Sequence, residues 1–128
     1  MTGRETTGLS WQRDEITQVC FRLLWWRPEE GGACRGRYEP AAADIVSFVR
    51  TERLLSAKVQ QITGITQADV RDAPTFDEVY ARLRGAVDAA FESGPAGARD
   101  VIFVAHNAFK FDCPFLYRAV ARLSLIHI

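Results

Sequence analysis

An α/β domain built on a mixed sheet is the fold class this sequence predicts, and three features predict it. The first is Val101-Ile102-Phe103-Val104-Ala105, an unbroken apolar run of mainly β-branched and aromatic residues, suited to a strand buried on both faces. The second is a pair of helical stripes: Phe76, Val79, Leu83, Val87 and Ala90 before that run, and Phe111, Phe115, Leu116, Ala119, Val120 and Leu123 after it. The third is an early pair of shorter segments, residues 16–26 and 44–50, patterned as antiparallel strands.

Composition frames the rest. A chain of 128 residues with 48% hydrophobic content fills one core, so residues 1–128 read as a single domain without internal repeats. Sixteen basic and sixteen acidic residues cancel, which argues against a simple nucleic-acid-coating role and confines any such contact to a local patch. Cys20, Cys34 and Cys113 are odd in number and widely spaced, forming neither a CxxC pair nor a zinc framework. They read as reduced thiols of an intracellular protein, cytoplasmic or nuclear. The N-terminus is polar, and no apolar run approaches the length of a membrane span.

Taken in order, residues 4–9 read as a turn around Gly8. Residues 16–26 follow as a strand with Ile16, Val19 or Cys20, Phe21 and Leu23 facing inward. Residues 28–40, rich in glycine, proline and charge, form a loop or long hairpin connection. Trp25 and Trp26 at its entrance either pack on the core or a sheet edge, or offer stacking platforms to bases. Residues 44–50 return antiparallel. Ser56 caps a short helix to Thr63 that Gly64 stops. Thr66 with Asp69 caps a further single turn, ended by Asp72-Ala73-Pro74, and Thr75 with Glu78 opens a long helix reaching about Glu92. Residues 93–100 lead as a loop into the apolar run. His106-Asn107 close that strand, and Asp112 falls in or beside the first turn of the last helix. Ligands collect where the strands of open α/β sheets end, which makes Asp112 a candidate metal ligand. The alternative is an acid that complements the helix dipole, with His106-Asn107 as a plain loop cap.

Two motifs and the stretches between them then resemble one family. Glu5-Thr6-Thr7-Gly8-Leu9 resembles the first motif, D-x-E-T-T-G-L, of the DnaQ-like 3′→5′ exonucleases of the DEDD superfamily. His106-Asn107-Ala108-Phe109-Lys110-Phe111-Asp112 is similar to the second motif, H-N-x-x-F-D, with one or so extra residues. Between them, Ile62-Thr63-Gly64-Ile65-Thr66 and Asp72-Ala73-Pro74-Thr75-Phe76 are similar to the family's I-x-G-I-T and D-A-P-x-F. The resemblance runs from Glu5 to about Leu123. It implies an RNase H-like fold: three antiparallel strands, then a parallel strand, flanked by helices.

It also implies hydrolysis at the 3′ end of single-stranded DNA or RNA by two Mg²⁺ or Mn²⁺ ions. One ion lowers the pKa of the attacking water and the other stabilises the leaving oxygen. Such hard cations take carboxylate oxygens. On that pattern Glu5 and Asp112 are the catalytic metal ligands. Thr6, Thr7, Gly8 and Leu9 hold the terminal nucleotide, and His106, Asn107 and Phe111 line the same pocket. A polymerase is the implied protein partner, and no membrane is implied. Read without the family, Leu9 serves equally as a core leucine, and Thr6 and Thr7 as ordinary turn hydrogen-bonders.

The sequence departs from the pattern twice. Gly3 stands where the family has Asp, and no H-x-x-x-x-D or Y-x-x-x-D motif follows Asp112. The expectation is a piece of a longer, active exonuclease. Two of four acids hold paired divalent ions too weakly, so this polypeptide alone should have no meaningful nuclease activity. Without its first strand and last helices it should also expose a sheet edge and fold poorly. The competing reading is a pseudo-exonuclease, a binding module that holds 3′ ends or a polymerase without cutting. A third is an unrelated α/β domain with chance motif matches.

Overall fold

The computed structural model describes residues 2–8, 10, 12–31, 35–98, 100–105 and 112–126, with side chains described between residues 6 and 122. Its centre is strand β2 (Ile16–Phe21), flanked antiparallel by β1 (Thr2–Thr6) and by β5 (Ile45–Phe48). Alternation along β2 decides which face is core. Ile16, Val19 and Phe21 are buried with Ile45 and Val49, while Gln18 and Cys20 are half-buried. These are the three antiparallel strands expected.

The first strand corrects the sequence reading, which took residues 4–9 as a turn and the first strand as missing. TGRET forms a five-residue strand in register with β2, pairing Thr2 with Phe21, Gly3 with Cys20 and Arg4 with Val19. Its polar side chains hid it. Backbone pairing to a neighbour makes it a strand, and no hydropathy pattern records that.

A second correction concerns residues 16–26, which are two strands and not one. β2 stops at Phe21, and β3 (Leu24–Pro28) pairs with β4 (Gly36–Pro40) in a separate two-stranded ribbon. The break is a mismatch in length, because two residues separate β2 from β3 while four separate β4 from β5. Unequal strands cannot keep one ladder, and the hairpin bends there. Arg22 and Asp44 clasp the bend, with Arg22 Nη2 2.6 Å from Asp44 Oδ2, and Ala41 N–H donates to Leu23 O at 2.9 Å. The 28–40 segment is thus a hairpin connection whose second half is strand.

The helices follow their caps. α1 (Ala57–Thr63) opens at Ser56, whose hydroxyl accepts Val59 N–H, and closes on Gly64 at φ 74°. That left-handed stop favours glycine. α2 (Gln67–Arg71) and α3 (Phe76–Ser93) both begin with full capping boxes, Thr66/Asp69 and Thr75/Glu78. α3 buries Val79, Leu83 and Ala90, and Phe76 and Val87 pack beside them. α4 (Asp112–Ile126) puts Phe115 into the same cluster, with Leu116 and Ala119 against it. A satellite cluster of Leu55, Ile65 and Val70 sits beneath α1 and α2.

The apolar run at 101–105 does not behave as expected. Val101, Ile102, Phe103 and Val104 lie outside any strand and are 49, 83, 55 and 60% exposed, while Ala105 forms an isolated bridge. The parallel strand is therefore missing among the described residues. An apolar run becomes a buried strand only when a sheet edge takes up its backbone and helices cover both faces. The described ladders are β1–β2, β2–β5 and β3–β4, and none includes it.

Candidate functional site

The site begins where β1 ends. Between Glu5 and Thr6 the register slips: Glu5 faces Gln18 and Thr6 faces Ile16, leaving Thr17 as an extra residue on β2. Bulges of this kind re-aim a strand next to functional sites. Thr17 is 1% exposed, and its hydroxyl has no hydrogen-bond partner.

Beyond the bulge, the turn is bonded to itself and to the segment that follows. Thr6 and Thr7 are both buried. Thr6 Oγ1 donates to Gly8 O at 2.6 Å. Thr7 N–H donates to Glu15 O at 2.8 Å, and Glu15 N–H returns to Thr7 Oγ1 at 2.9 Å. The Asp14 carboxylate then accepts the Thr7 hydroxyl at 3.3 Å and Ser10 N–H at 2.9 Å. Glu15 Oε2 accepts the N–H groups of Glu52 and Arg53 at 3.0 and 2.9 Å, fastening the turn to the segment after β5.

Asp112 opens α4 and is half-buried in its first turn. It borders an almost wholly apolar groove of about 300 Å³ between α3, α4 and the 103–105 segment, with Tyr80, Phe103, Leu116 and Tyr117 in its walls. Arg118 Nη1 on this helix donates to Asp14 O at 3.3 Å, tying it to the segment bonded to the turn. Thr6, Thr7 and Gly8 are thus placed together, with Asp112 on the helix braced to them. Glu5 is placed by its backbone in β1. Leu9, His106, Asn107 and Phe111 lie outside the described residues, as does Cys34.

Residues 32–128 of the chain match the model of the exonuclease family RNase_T. The chain belongs to this exonuclease family. It is also similar to PolC-type DNA polymerase III from three bacteria. Identity to that of Caldanaerobacter subterraneus subsp. tengcongensis is 28% over 121 residues, 94% of this chain and 7% of the relative. Identity to the Bacillus cereus protein is 33% over 112 residues, covering 88% of this chain and 6% of the relative. For Bacillus subtilis it is 32% over 119 residues, 93% and 7% respectively. The chain therefore spans less than a tenth of these relatives. Their matches are long enough to extend ahead of residue 32.

The sheet and helices are accordingly those of an RNase H-like exonuclease domain. Exonucleases of this family generally use divalent metal ions, so the donor set matters. Among the described residues no group of three or more His, Cys, Asp or Glu side chains converges to hold a metal. Asp112 is the one assigned acid whose side chain is described, and Gly3 contributes no donor at its position in β1. The described residues do not fit a pair of divalent ions.

Three residues that bond the turn to its surroundings escaped the sequence reading: Asp14, Glu15 and Arg118. Asp14 left a usable signal, since an acid four residues after Ser10 suits side-chain bonding to a turn N–H. Arg118 left none, because its partner is a backbone carbonyl more than a hundred residues away. The tryptophans divide. Trp25 packs edge-on against Phe91, with ring centroids 6.1 Å apart, as a structural residue. Trp26 lies against Tyr38 across the ribbon, with ring centroids 5.0 Å apart and planes tilted by 53°, and these two are 39 and 65% exposed. Cys20 and Cys113 are free thiols, half-buried and exposed. No helix among the described residues is long and apolar enough to cross a membrane.

Proposed function

We propose that this chain carries the nucleotide-binding turn and two of the metal-binding acids of a 3′→5′ exonuclease, which takes the 3′ end of single-stranded DNA or RNA in the setting of a DNA polymerase. The observation that carries the reading is a juxtaposition. The helix that begins with Asp112 is braced through Arg118 to the turn that follows Glu5, in a chain of the exonuclease family. Similarity to DNA polymerases along most of the chain supports the polymerase setting.

Within this reading Thr6, Thr7, Gly8 and Leu9 seat the terminal nucleotide, and His106, Asn107 and Phe111 complete the pocket. The Thr6 and Thr7 hydroxyls are already committed inside the turn, as is Thr7 N–H, so they shape it, while the remaining backbone N–H groups of the turn meet the substrate. Glu5 and Asp112 are the acids this chain supplies for Mg²⁺ or Mn²⁺. With glycine at position 3, those two carboxylates fall short of a paired-ion site, and the chain alone leaves nucleic acid uncut.

The test uses a 5′-labelled single-stranded oligodeoxynucleotide with Mg²⁺ or Mn²⁺. The oligonucleotide stays full length, and the chain binds it more tightly with a free 3′-hydroxyl than with a 3′-phosphate. Metal-dependent shortening that disappears in Asp112→Ala would overturn the inactivity. Binding indifferent to the 3′ group would sink the pocket assignment.

A further inference from the structure

We propose that Asp14 is the positioning residue of the nucleotide-binding turn, and that Arg118 transmits that position to the helix bearing Asp112. The inference rests on the functional reading above and names residues to which the motifs assign no role.

The geometry around Asp14 carries it. Its two carboxylate oxygens engage opposite sides of the turn, Oδ1 accepting the Thr7 hydroxyl at 3.3 Å and Oδ2 accepting Ser10 N–H at 2.9 Å. The carboxylate also lies against the Cα of Gly8: a Cβ placed there would come within 2.8 Å of Asp14 Cγ. A side chain at residue 8 would therefore have to displace the Asp14 carboxylate from its place. The backbone of Asp14 closes the ring, its N–H donating to Ser10 O at 2.7 Å and its carbonyl accepting from Arg118 at 3.3 Å. One residue thus touches Thr7, Gly8, Ser10 and α4. None of these bonds engages Gly8 N–H.

The chemistry demands a carboxylate. Thr7 Oγ1 already accepts Glu15 N–H, so its proton must go to an acceptor, while Ser10 N–H needs another. An ionised Asp serves both, whereas Asn would turn a donor toward one of them. On α4 the requirement is only a donor that reaches Asp14 O, which Lys can meet and Met cannot.

The experiment titrates the full chain into a 5′-fluorescein single-stranded oligodeoxynucleotide carrying a 3′-hydroxyl or a 3′-phosphate, without metal. Asp14→Ala should remove about tenfold of the preference for the free end. Asp14→Asn should remove part of it. Arg118→Met should lower the preference, and Arg118→Lys should restore it. Asp69→Ala is the control, because it deletes the capping acid of α2 and destabilises the fold without touching the turn. Full preference in Asp14→Ala, or equal loss in Asp14→Ala and Asp69→Ala, overturns the proposal. If the unaltered chain shows no preference, the pocket reading itself has failed, and amide exchange decides the remainder. Faster exchange at Ser10 in Asp14→Ala then upholds the brace, and unchanged exchange overturns it.

Discussion

Replacing Phe115 by alanine is the perturbation that tests most stringently how Asp112 is held. Phe115 is 3% exposed, one turn along α4 from Asp112, and packs in the cluster formed by Ile16, Val19, Val79 and Leu83. Removing a fully buried phenyl costs about 3–5 kcal/mol, the lost transfer energy plus the cavity left behind. Domains of this size hold roughly 5–15 kcal/mol in total, so the variant should be marginal. At this length each kcal/mol moves the melting midpoint by about 4 °C, which predicts a fall of roughly 12–20 °C. Phe115→Leu, which keeps most of the volume, should cost about 1 kcal/mol. Urea and thermal unfolding followed by far-UV circular dichroism read both values. A loss below about 1 kcal/mol for Phe115→Ala would mean that α4 is not seated on the sheet. The placement of Asp112 would then have no physical basis.

Further outcomes follow from single contacts. Gly94→Ala should destabilise by about 1–3 kcal/mol, because its new methyl would meet the Trp25 ring and the Ala90 carbonyl; wild-type unfolding in urea would refute that packing. Glu78 and Asp69 each accept the N–H of their own N-cap residue, Thr75 and Thr66, and are held below their usual values of 4.5 and 3.8. Folded pKa values below the unfolded ones mean this stability is fully present above about pH 5 and is lost as pH falls through those values. The melting midpoint should drop between about pH 5 and pH 3, and Glu78→Gln should flatten part of that limb. A midpoint that does not fall over this range would count against the caps. Gly3 shares a face of β1 with Glu5 at the two-residue strand period. Gly3→Asp should therefore tighten Mn²⁺ binding by on the order of tenfold, read by electron paramagnetic resonance. No change would place the Glu5 carboxylate outside the metal site.

Local chemistry was legible in the sequence and pairing was not. Ser56, Thr66, Thr75 and Gly64 announced their helix ends because a cap is decided within four residues. The buried stripe of α3 and the start of α4 at Asp112 were equally readable, since helical periodicity is local. TGRET was unreadable as a strand because its partner residues lie ten or more positions on. The break at Arg22 depends on the count of residues opposite it, between β4 and β5. Val101 to Val104 are the converse case: hydrophobicity supplies the drive for burial, while among the described residues these four carry no strand. At the candidate site the motif letters point to Glu5 to Leu9, His106, Asn107, Phe111 and Asp112. The brace through Asp14 and Arg118 could emerge only from the fold.

The central claim is that the turn after Glu5 and the segment leading to Asp112 together hold a nucleic-acid 3′ end. Photocrosslinking of a single-stranded oligonucleotide ending in 4-thiothymidine, mapped by mass spectrometry, tests it most directly. The account predicts label within residues 6–9 and 106–112. Label on Trp26 and Tyr38 of the ribbon in place of those segments, or no dependence on the terminal position of the thiobase, would contradict it.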